Sequence, residues 1–345
     1  MKDTCLFKPI IIGKRTAPNR FVANPLEMNC SDINGAPSEL NFKRYNSLAK
    51  GKWGVVFVES TTASQNPECR FFGQNGLLIN RKNKNHFRKL VSEFKEINND
   101  SLLLIQLGTG NLGLEYDYIN MNESKLEIIK QNLIDAGIIA AEVGFDGIDI
   151  KQAHGTLTAN LLESSNKRKD KYSGKDIESR TLFFKEIFNE IRKYCDKNDK
   201  SEFLIGSRIS VNDIVELKTI ISFLDKQLKL DFISISSMPL ENTLGHEILR
   251  ILNQISKSFE PNAKIIGTGH TDLITNYETI DELKNFSGNI LAPDLLGFGR
   301  QNLADPLLPL KIFNGRNSEI NKCTLCNNCI NKRLAEQKQT KCTVY

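Results

Sequence analysis

The sequence has little that would place it in a membrane or outside the cell. No apolar run in its 345 residues approaches the roughly 20 needed to cross a bilayer. Its first residues also lack the apolar stretch of a secretory signal peptide. We therefore expect a cytoplasmic protein with no membrane association. In that reducing compartment, the cysteines scattered outside the C-terminal cluster should be free thiols, namely Cys5, Cys30, Cys69 and Cys195.

Long blocks of positive charge and clustered histidines are also missing. The net charge of +5 is spread over short runs, which are typical of a solvated surface. We therefore expect no nucleic-acid partner. The chain has four histidines, and no pair of them follows strands at a metal-ligand spacing, which argues against a zinc-dependent enzyme.

No GxGxxG motif follows the first apolar strand segment, which speaks against an open dinucleotide-binding sheet. Short apolar runs alternate with amphipathic segments, a rhythm that predicts parallel strands joined by helices. An open doubly wound sheet would give the same rhythm, but polar residues at many strand ends favour closure into an α/β (β/α)8 TIM barrel. The eight predicted strands are Phe21–Asn24, Gly54–Glu59, Ser101–Leu107, Gly147–Lys151, Phe203–Ile209, Phe232–Ser236, Lys264–Thr268 and Leu295–Gly299.

Segments with apolar residues at helical spacing separate these strands. The chain then becomes polar and cysteine-rich, so we predict a barrel over residues 1–315 and a short Cys-rich segment over 316–345. The predicted helices are Asn41–Ala49, His86–Ile97, Ser124–Val143, Glu178–Tyr194, Leu217–Lys229 and Glu247–Phe259.

The carboxyl ends of barrel strands meet at one mouth, where active sites lie. Gln106 ends the third strand, and Lys151, His154 and Thr156 follow the fourth. Lys151 and His154 would repel each other there unless a carbonyl, a carboxylate or a reduced flavin lay between them. Arg208 lies inside the apolar fifth strand and must meet an internal carboxylate or an electron-rich ligand.

Two glycine-rich turns follow the last two strands. Gly267 and Gly269 belong to the first turn, and Gly299 precedes Arg300 in the second. Such turns let backbone N–H groups approach a phosphate, and an arginine neutralises its charge. We predict a phosphate site here.

Four cysteines cluster near the end of the sequence: Cys323, Cys326, Cys329 and Cys342. Three thiols at intervals of three residues favour a [4Fe–4S] cluster over zinc, whose sites usually use two separated pairs. Zinc and an empty relic of a metal site are the alternatives.

Three longer motifs carry a family resemblance. LFKPIIIGKRTAPNRFVANP contains the first predicted strand, and SNKRKDKYSG precedes Glu178-Ser-Arg180. GFGRQNLADP begins within the last predicted strand and continues beyond it. Together they resemble the old yellow enzyme family of FMN-dependent NADH:flavin oxidoreductases over essentially the whole chain. The cysteine spacing resembles the iron–sulfur branch that contains trimethylamine dehydrogenase and 2,4-dienoyl-CoA reductase.

The resemblance implies FMN at the mouth and NAD(P)H as its reductant. Gln106 would bond the pyrimidine edge of the flavin, and Arg208 would lie near N1 and O2. The glycine turns with Arg300 would hold the phosphate. Near the dimethylbenzene-to-N5 face would lie Pro25, Leu26 and Glu27.

The residues expected to face the substrate depart from the family. Lys151 replaces a histidine, Thr156 replaces a proton-donating tyrosine, and Glu27 replaces a small polar or thiol residue, whereas His154 is kept. The run after Gln106 also lacks the family's histidine. The substrate and the proton donor of the relatives therefore cannot be assigned to this chain.

The first hypothesis is hydride transfer between reduced FMN and a small electron-poor substrate, such as an unsaturated carbonyl or carboxylate. Lys151 and His154 would bind the activating group. Thr156 is a poor acid, so the proton would come from Lys151, a tyrosine or water.

Two alternatives stay open. The first is an oxidative amine dehydrogenase that passes electrons from FMN to the cluster and on to an electron-carrier protein, although Lys151 would repel a cationic amine. The second is a non-catalytic flavin or electron-transfer subunit. The sequence leaves the substrate and a homo-oligomeric state undecided.

Overall fold

The computed structural model describes residues 5–65, 75–109, 117–210, 213–236, 243–271, 292–334, 336 and 338–344, with only the backbone at 243–249 and 333–334. The predicted site residues all lie in this part. Cys69 and residues 110–113, which follow the third predicted strand, lie outside it. In chain order the strands are β1 Ile10–Ile12, β2 Arg15–Ala17, β3 Phe21–Ala23, β4 Val55–Ala63, β5 Leu78–Ile79, β6 Leu102–Gly108, β7 Gly147–Gln152, β8 Leu204–Ser210, β9 Phe232–Ser236, β10 Lys264–Gly267 and β11 Leu295–Phe298.

Eight parallel strands close into a barrel in the order β3, β4, β6, β7, β8, β9, β10 and β11, and β11 pairs with β3 to complete the ring. The short β5 lies beside the far end of β4. Each barrel strand coincides with one of the eight predicted segments. The predicted (β/α)8 TIM barrel is therefore confirmed.

The alternation of side chains along the strands separates two apolar layers. Val55 and Phe57 of β4 belong to an inner cluster, whereas Val56 and Val58 pack outward against the helices. The β1–β2 hairpin contributes apolar side chains to the inner cluster. An apolar layer therefore fills the lower barrel, and inward side chains further along each strand are free to be polar.

Each predicted helix is present, with ends shifted by a few residues. Asp176 caps the helix Ile177–Lys197, because its carboxylate accepts a hydrogen bond from the Ser179 backbone N–H. The segment predicted as 217–229 begins earlier, and its last turn, Leu224–Leu228, is π-helical. The helices are α1 Glu39–Lys50, α2 Lys84–Ile97, α3 Glu123–Val143, α4 Leu157–Leu162, α5 Ile177–Lys197, α6 Ile214–Phe223, α7 Thr243–Ser258, α8 Arg300–Ala304, α9 Leu308–Phe313 and α10 Asn328–Leu334.

The sequence analysis missed the hairpin and the short helices α4, α8, α9 and α10. Segments of three to seven residues do not span enough of a period to give a signal. In the part of the chain that the structure describes, no helix has both the length and the apolar character to cross a bilayer.

Candidate active site

The mouth of the barrel is lined by polar residues at inward-facing positions of β6 to β9. Gln106 pairs in register with Asp149, and Lys151 pairs with Arg208. Asp149 and Lys151 are two residues apart and therefore share the inner face of β7. All four side chains are buried. Gln106, Lys151 and Arg208, which the strand ends in the sequence predicted to share one mouth, do lie side by side there. Asp149 was not predicted as a site residue.

Asp149 organises one half of this polar layer. One carboxylate oxygen accepts a hydrogen bond of 2.7 Å from Gln106 Nε2, and the other accepts one of 2.7 Å from the Arg208 backbone N–H. Burial raises the pKa of Asp149, while the Gln106 hydrogen bond and the Arg208 charge oppose that rise. The contact fixes which way the Gln106 amide points, so a ligand would meet its remaining polar groups.

Arg208 has a buried hydrogen-bond donor that fits a polar ligand. One terminal nitrogen donates to Ser236 Oγ at 3.1 Å. Its Nε is buried and has no hydrogen-bond partner among the described residues, and burial lowers the pKa of its guanidinium. An orphaned buried donor costs about 1–3 kcal/mol, so a polar ligand at this position would stabilise the site.

Two further hydroxyls at the ends of neighbouring strands share this feature. Thr109 Oγ1, just beyond β6, and Ser210 Oγ, at the end of β8, are buried without a partner in the described part of the chain. Together with Arg208 they surround the strand that carries Lys151. The residues present therefore fit a bound group rich in hydrogen-bonding atoms, as the ring edge and side chain of FMN are.

Lys151 is paired with Glu27. Its Nζ lies 3.2 Å from Glu27 Oε1 and 3.4 Å from Ser60 Oγ, and both charged side chains are largely buried. A carboxylate was one of the compensating groups expected near Lys151 from the sequence, and Glu27 supplies one. Two of the departures from the family pattern, at positions 27 and 151, thus form one ion pair.

His154 is linked to the Arg208 side of the mouth. Its Nε2 lies 2.8 Å from Ser236 Oγ, the atom that also accepts from Arg208. The backbone at His154 and Gly155 is left-handed, with φ of 61° and 68°. This unusual turn places the imidazole over the mouth. Ser236 was missed in the sequence, although it ends the strand β9 as Gln106 ends its apolar run.

Thr156 has a different orientation from the one a proton donor would need. Its hydroxyl lies 3.2 Å from the Ala153 carbonyl oxygen and 3.1 Å from Thr158 Oγ1, within its own loop. The residue precedes α4 and is buried. The geometry gives Thr156 a role in shaping the turn that carries His154.

The predicted phosphate residues lie on neighbouring turns after β10 and β11. Gly269 has a φ of 84°, in the left-handed region that favours glycine. A Cβ on Gly299 would meet no atom of the described residues within 4 Å, so within that part of the chain its backbone is open to a ligand. The largely buried Arg300 follows, and Arg250 donates to the Gly269 carbonyl at 2.8 Å. Gly267 ends β10 beside them, and Arg250 is an additional cation that the sequence did not indicate.

The four clustered cysteines line one small pocket together with Arg300 and Asn327. Burial raises the pKa of Cys323, whereas the Asn328 backbone N–H lowers that of Cys326. Within the described ranges, no group of three or more His, Cys, Asp or Glu side chains is arranged to hold a metal ion. The expected [4Fe–4S] cluster therefore stays a prediction.

Glu59 is a buried carboxyl group behind the Glu27–Lys151 pair that the sequence analysis did not single out. Glu59 Oε2 accepts from the Met28 backbone N–H at 2.7 Å, and Oε1 accepts from Asn41 Nδ2 at 3.0 Å. Burial raises the pKa of Glu59 to about 8, and the charge of Glu27 adds to that rise. Its signal in the sequence is the same as that of Gln106: a polar residue that ends an apolar strand run.

This raised pKa predicts a pH-dependent stability. Between the ordinary value of 4.5 and about 8, Glu59 is protonated in the folded state and ionised in the unfolded state. The free energy of unfolding should therefore fall by about 4 kcal/mol as pH rises through this window. Urea unfolding of the parent and of Glu59→Gln at pH 5, 6, 7 and 8 measures it. The free energy of unfolding of the variant should lack this fall with pH. If it depends on pH in the same way as that of the parent, the raised pKa of Glu59 is contradicted.

Comparison with known proteins identifies the family of this chain. Residues 5–124 and 113–319 match the profile of the NADH:flavin oxidoreductase / NADH oxidase family. Because the match covers most of the chain, the protein belongs to this family. It is an oxidoreductase of the old yellow enzyme type, and FMN and NAD(P)H fit the family.

Similar proteins include enzymes of about this length and longer ones. The NADPH dehydrogenase of Bacillus subtilis (strain 168) is 27% identical over 343 residues, which cover 91% of this chain and 96% of that protein. The NADH oxidase of Thermoanaerobacter brockii is 25% identical over 98% of this chain and 55% of its own length. The chain thus spans about half of the longer relative.

Solved structures support the fold. A 2-naphthoyl-CoA reductase superposes with a TM-score of 0.83 at 20% identity, covering 99% of this chain and 57% of its own. Histamine dehydrogenase from Rhizobium sp. 4-9 gives 0.80 at 21% identity, with coverages of 98% and 52%. At these identities the likeness shows the barrel alone.

Proposed function

We propose that the protein uses NAD(P)H and FMN to reduce an activated double bond in a small electron-poor substrate, such as an unsaturated carbonyl compound or carboxylate. The observation that carries this proposal is the Lys151–Glu27 ion pair, 3.2 Å apart, beside an Arg208 whose buried Nε lacks a partner in the described residues. One side of the mouth offers groups for a flavin and the other offers donors for a substrate.

Gln106 and Arg208 would hold the ring edge of FMN, and Arg300 with the Gly267–Gly269 turn and Gly299 would hold its phosphate. Pro25 and Leu26, which are half-buried after β3, would border the ring on the way to Glu27. When bound, FMN would accept hydride from NAD(P)H and supply it to the substrate. Arg208 would place a positive charge beside the ring edge, in a buried site where such a charge acts strongly.

Lys151 and His154 are the groups we assign to the substrate. Both side chains can donate hydrogen bonds at the mouth. A hydrogen bond to a carbonyl oxygen of the substrate becomes stronger as negative charge develops on that oxygen. The carboxylate of Glu27, 3.2 Å from Lys151 Nζ, offsets the cost of burying the charge of that lysine. Lys151 Nζ can therefore supply the proton, a role that Thr156 does not take because its hydroxyl bonds carbonyls of its own loop.

Amine oxidation is the second candidate, and one observation favours it. The sequence alone suggested that Lys151 would repel a cationic amine, but Glu27 neutralises that charge. The dehydrogenase that superposes on the barrel acts on histamine, as its name states. In this candidate the four cysteines would be the ligands of a [4Fe–4S] cluster, and the chemistry it would supply is electron transfer to a carrier protein.

Anaerobic spectroscopy of the purified protein separates these candidates. We expect FMN bands that bleach with NADPH and return when 2-cyclohexen-1-one is added. Bleaching by histamine, together with an electron paramagnetic resonance signal from reduced iron–sulfur, would favour amine oxidation. If FMN is bound but responds to neither NADPH nor histamine, the result would favour the hypothesis of a non-catalytic flavin or electron-transfer subunit. The cytoplasmic location, the homo-oligomer and the division at residue 315 stay predictions.

A further inference from the structure

The Cys-rich segment contacts the candidate active site at Thr340. The Thr340 backbone N–H donates to the Met28 carbonyl at 2.8 Å, and its hydroxyl donates to the Glu27 carbonyl at 2.8 Å. The side chain is buried, with 2% of its surface exposed. These bonds join positions more than 300 residues apart in the sequence.

The same stretch of backbone is held from the barrel side. The Met28 N–H donates to Glu59 Oε2 at 2.7 Å. The peptide between Glu27 and Met28 is therefore bonded at both ends, by Glu59 at its N–H and by the Thr340 hydroxyl at its carbonyl. Asn29 Nδ2 adds a bond of 3.2 Å to the Lys338 carbonyl. The 27–29 segment is therefore clamped between a barrel strand and the Cys-rich segment, and Glu27 extends from the clamped backbone to Lys151.

We propose that Thr340 is a positioning residue of the active site, which holds the Glu27 backbone so that the carboxylate meets Lys151. The inference rests on the proposed function in so far as Lys151 acts on the substrate. Through Thr340, the segment that carries the four cysteines becomes part of the substrate side of the mouth.

The effect on the reaction follows from geometry. If the hydroxyl is lost, the Glu27 carbonyl loses its bond to Thr340, and the segment is free to shift. A misplacement of about 1 Å in a catalytic group can cost roughly a hundredfold in rate. Flavin binding should be spared, because the two bonds of Thr340 go to the backbone of Glu27 and Met28, whereas Arg208 and the glycine turns belong to other strands of the barrel.

Thr340→Val removes only the hydroxyl and keeps the shape and the backbone N–H. Thr340→Ser restores the hydroxyl. Thr181→Val is a matched control, since Thr181 is fully buried and its hydroxyl bonds the Ile177 carbonyl at 2.6 Å on α5. Each holoprotein is compared with the parent by FMN fluorescence titration, by kcat and KM with NADPH and 2-cyclohexen-1-one, and by amide hydrogen exchange of peptides covering 24–30.

We expect Thr340→Val to lower kcat by at least about tenfold with FMN affinity unchanged, and to speed exchange at the Met28 amide. Thr340→Ser should restore most of the kcat and most of the protection of the Met28 amide from exchange. Thr181→Val should change neither the kcat nor the exchange rate. The proposal is overturned if Thr340→Val matches the parent in exchange and kcat, or if serine fails to rescue. If the parent itself does not reduce the enone, the proposed function fails, while the exchange measurement still decides whether Thr340 holds the segment.

Discussion

Replacing Lys151 with methionine is expected to lower the rate of substrate reduction by at least about a hundredfold, because general acid catalysis contributes 10²–10⁴. Methionine keeps the length and volume of the side chain but has no proton to donate. FMN should remain bound, since the residues assigned to it do not depend on this amine. Stopped-flow reoxidation of the NADPH-reduced protein by 2-cyclohexen-1-one measures the rate.

The same variant should also be less stable. Glu27 would be left as a buried carboxylate without its cation, and breaking a buried pair in this way costs about 3–5 kcal/mol. The double variant Glu27→Gln/Lys151→Met removes both charges, so most of the stability should return while the activity stays low. A double variant that regains activity would show that Lys151 acts only by neutralising Glu27. Urea unfolding and the reoxidation rate are measured on the same samples.

The sequence indicated this chemistry only in part. Periodicity located the eight strands, and the rule that active sites lie at strand ends brought Gln106, Lys151 and Arg208 together. The same rule, applied to the apolar run Val55–Val58, would also have found Glu59. The rule depends only on chain order and on side-chain alternation, which are local properties of the sequence.

Pairings between distant segments were not accessible in this way. Glu27 and Lys151 are 124 positions apart, and each looked like an isolated departure from the family. Their pairing depends on how the segment after β3 crosses the mouth, which no local pattern encodes. The orientation of Thr156 likewise follows from the left-handed turn at His154, and the bonds of Thr340 follow from the path of the Cys-rich segment.

Arg208→Met is expected to weaken FMN binding by about a hundredfold. Hydrogen bonds to a charged group contribute about 1.5–3 kcal/mol each, and the variant removes both the cation and the buried Nε that lacks a partner in the described chain. Asp149 would also lose an opposing charge, so its already raised pKa should rise further and its carboxyl should be protonated more readily. Fluorescence titration of the flavin-free protein with FMN gives the affinity.

Two variants separate this effect from general loss of structure. Arg208→Lys keeps the charge but not the planar fork, so we expect an intermediate affinity. Arg192→Met removes an arginine that pairs with Asp231 at 2.9 Å away from the polar layer of the mouth, and it should lower stability without changing FMN affinity. If Arg208→Met binds FMN as tightly as the parent, the flavin does not lie against Arg208. The substrate side would then have to be assigned again from Lys151 and Glu27 outward.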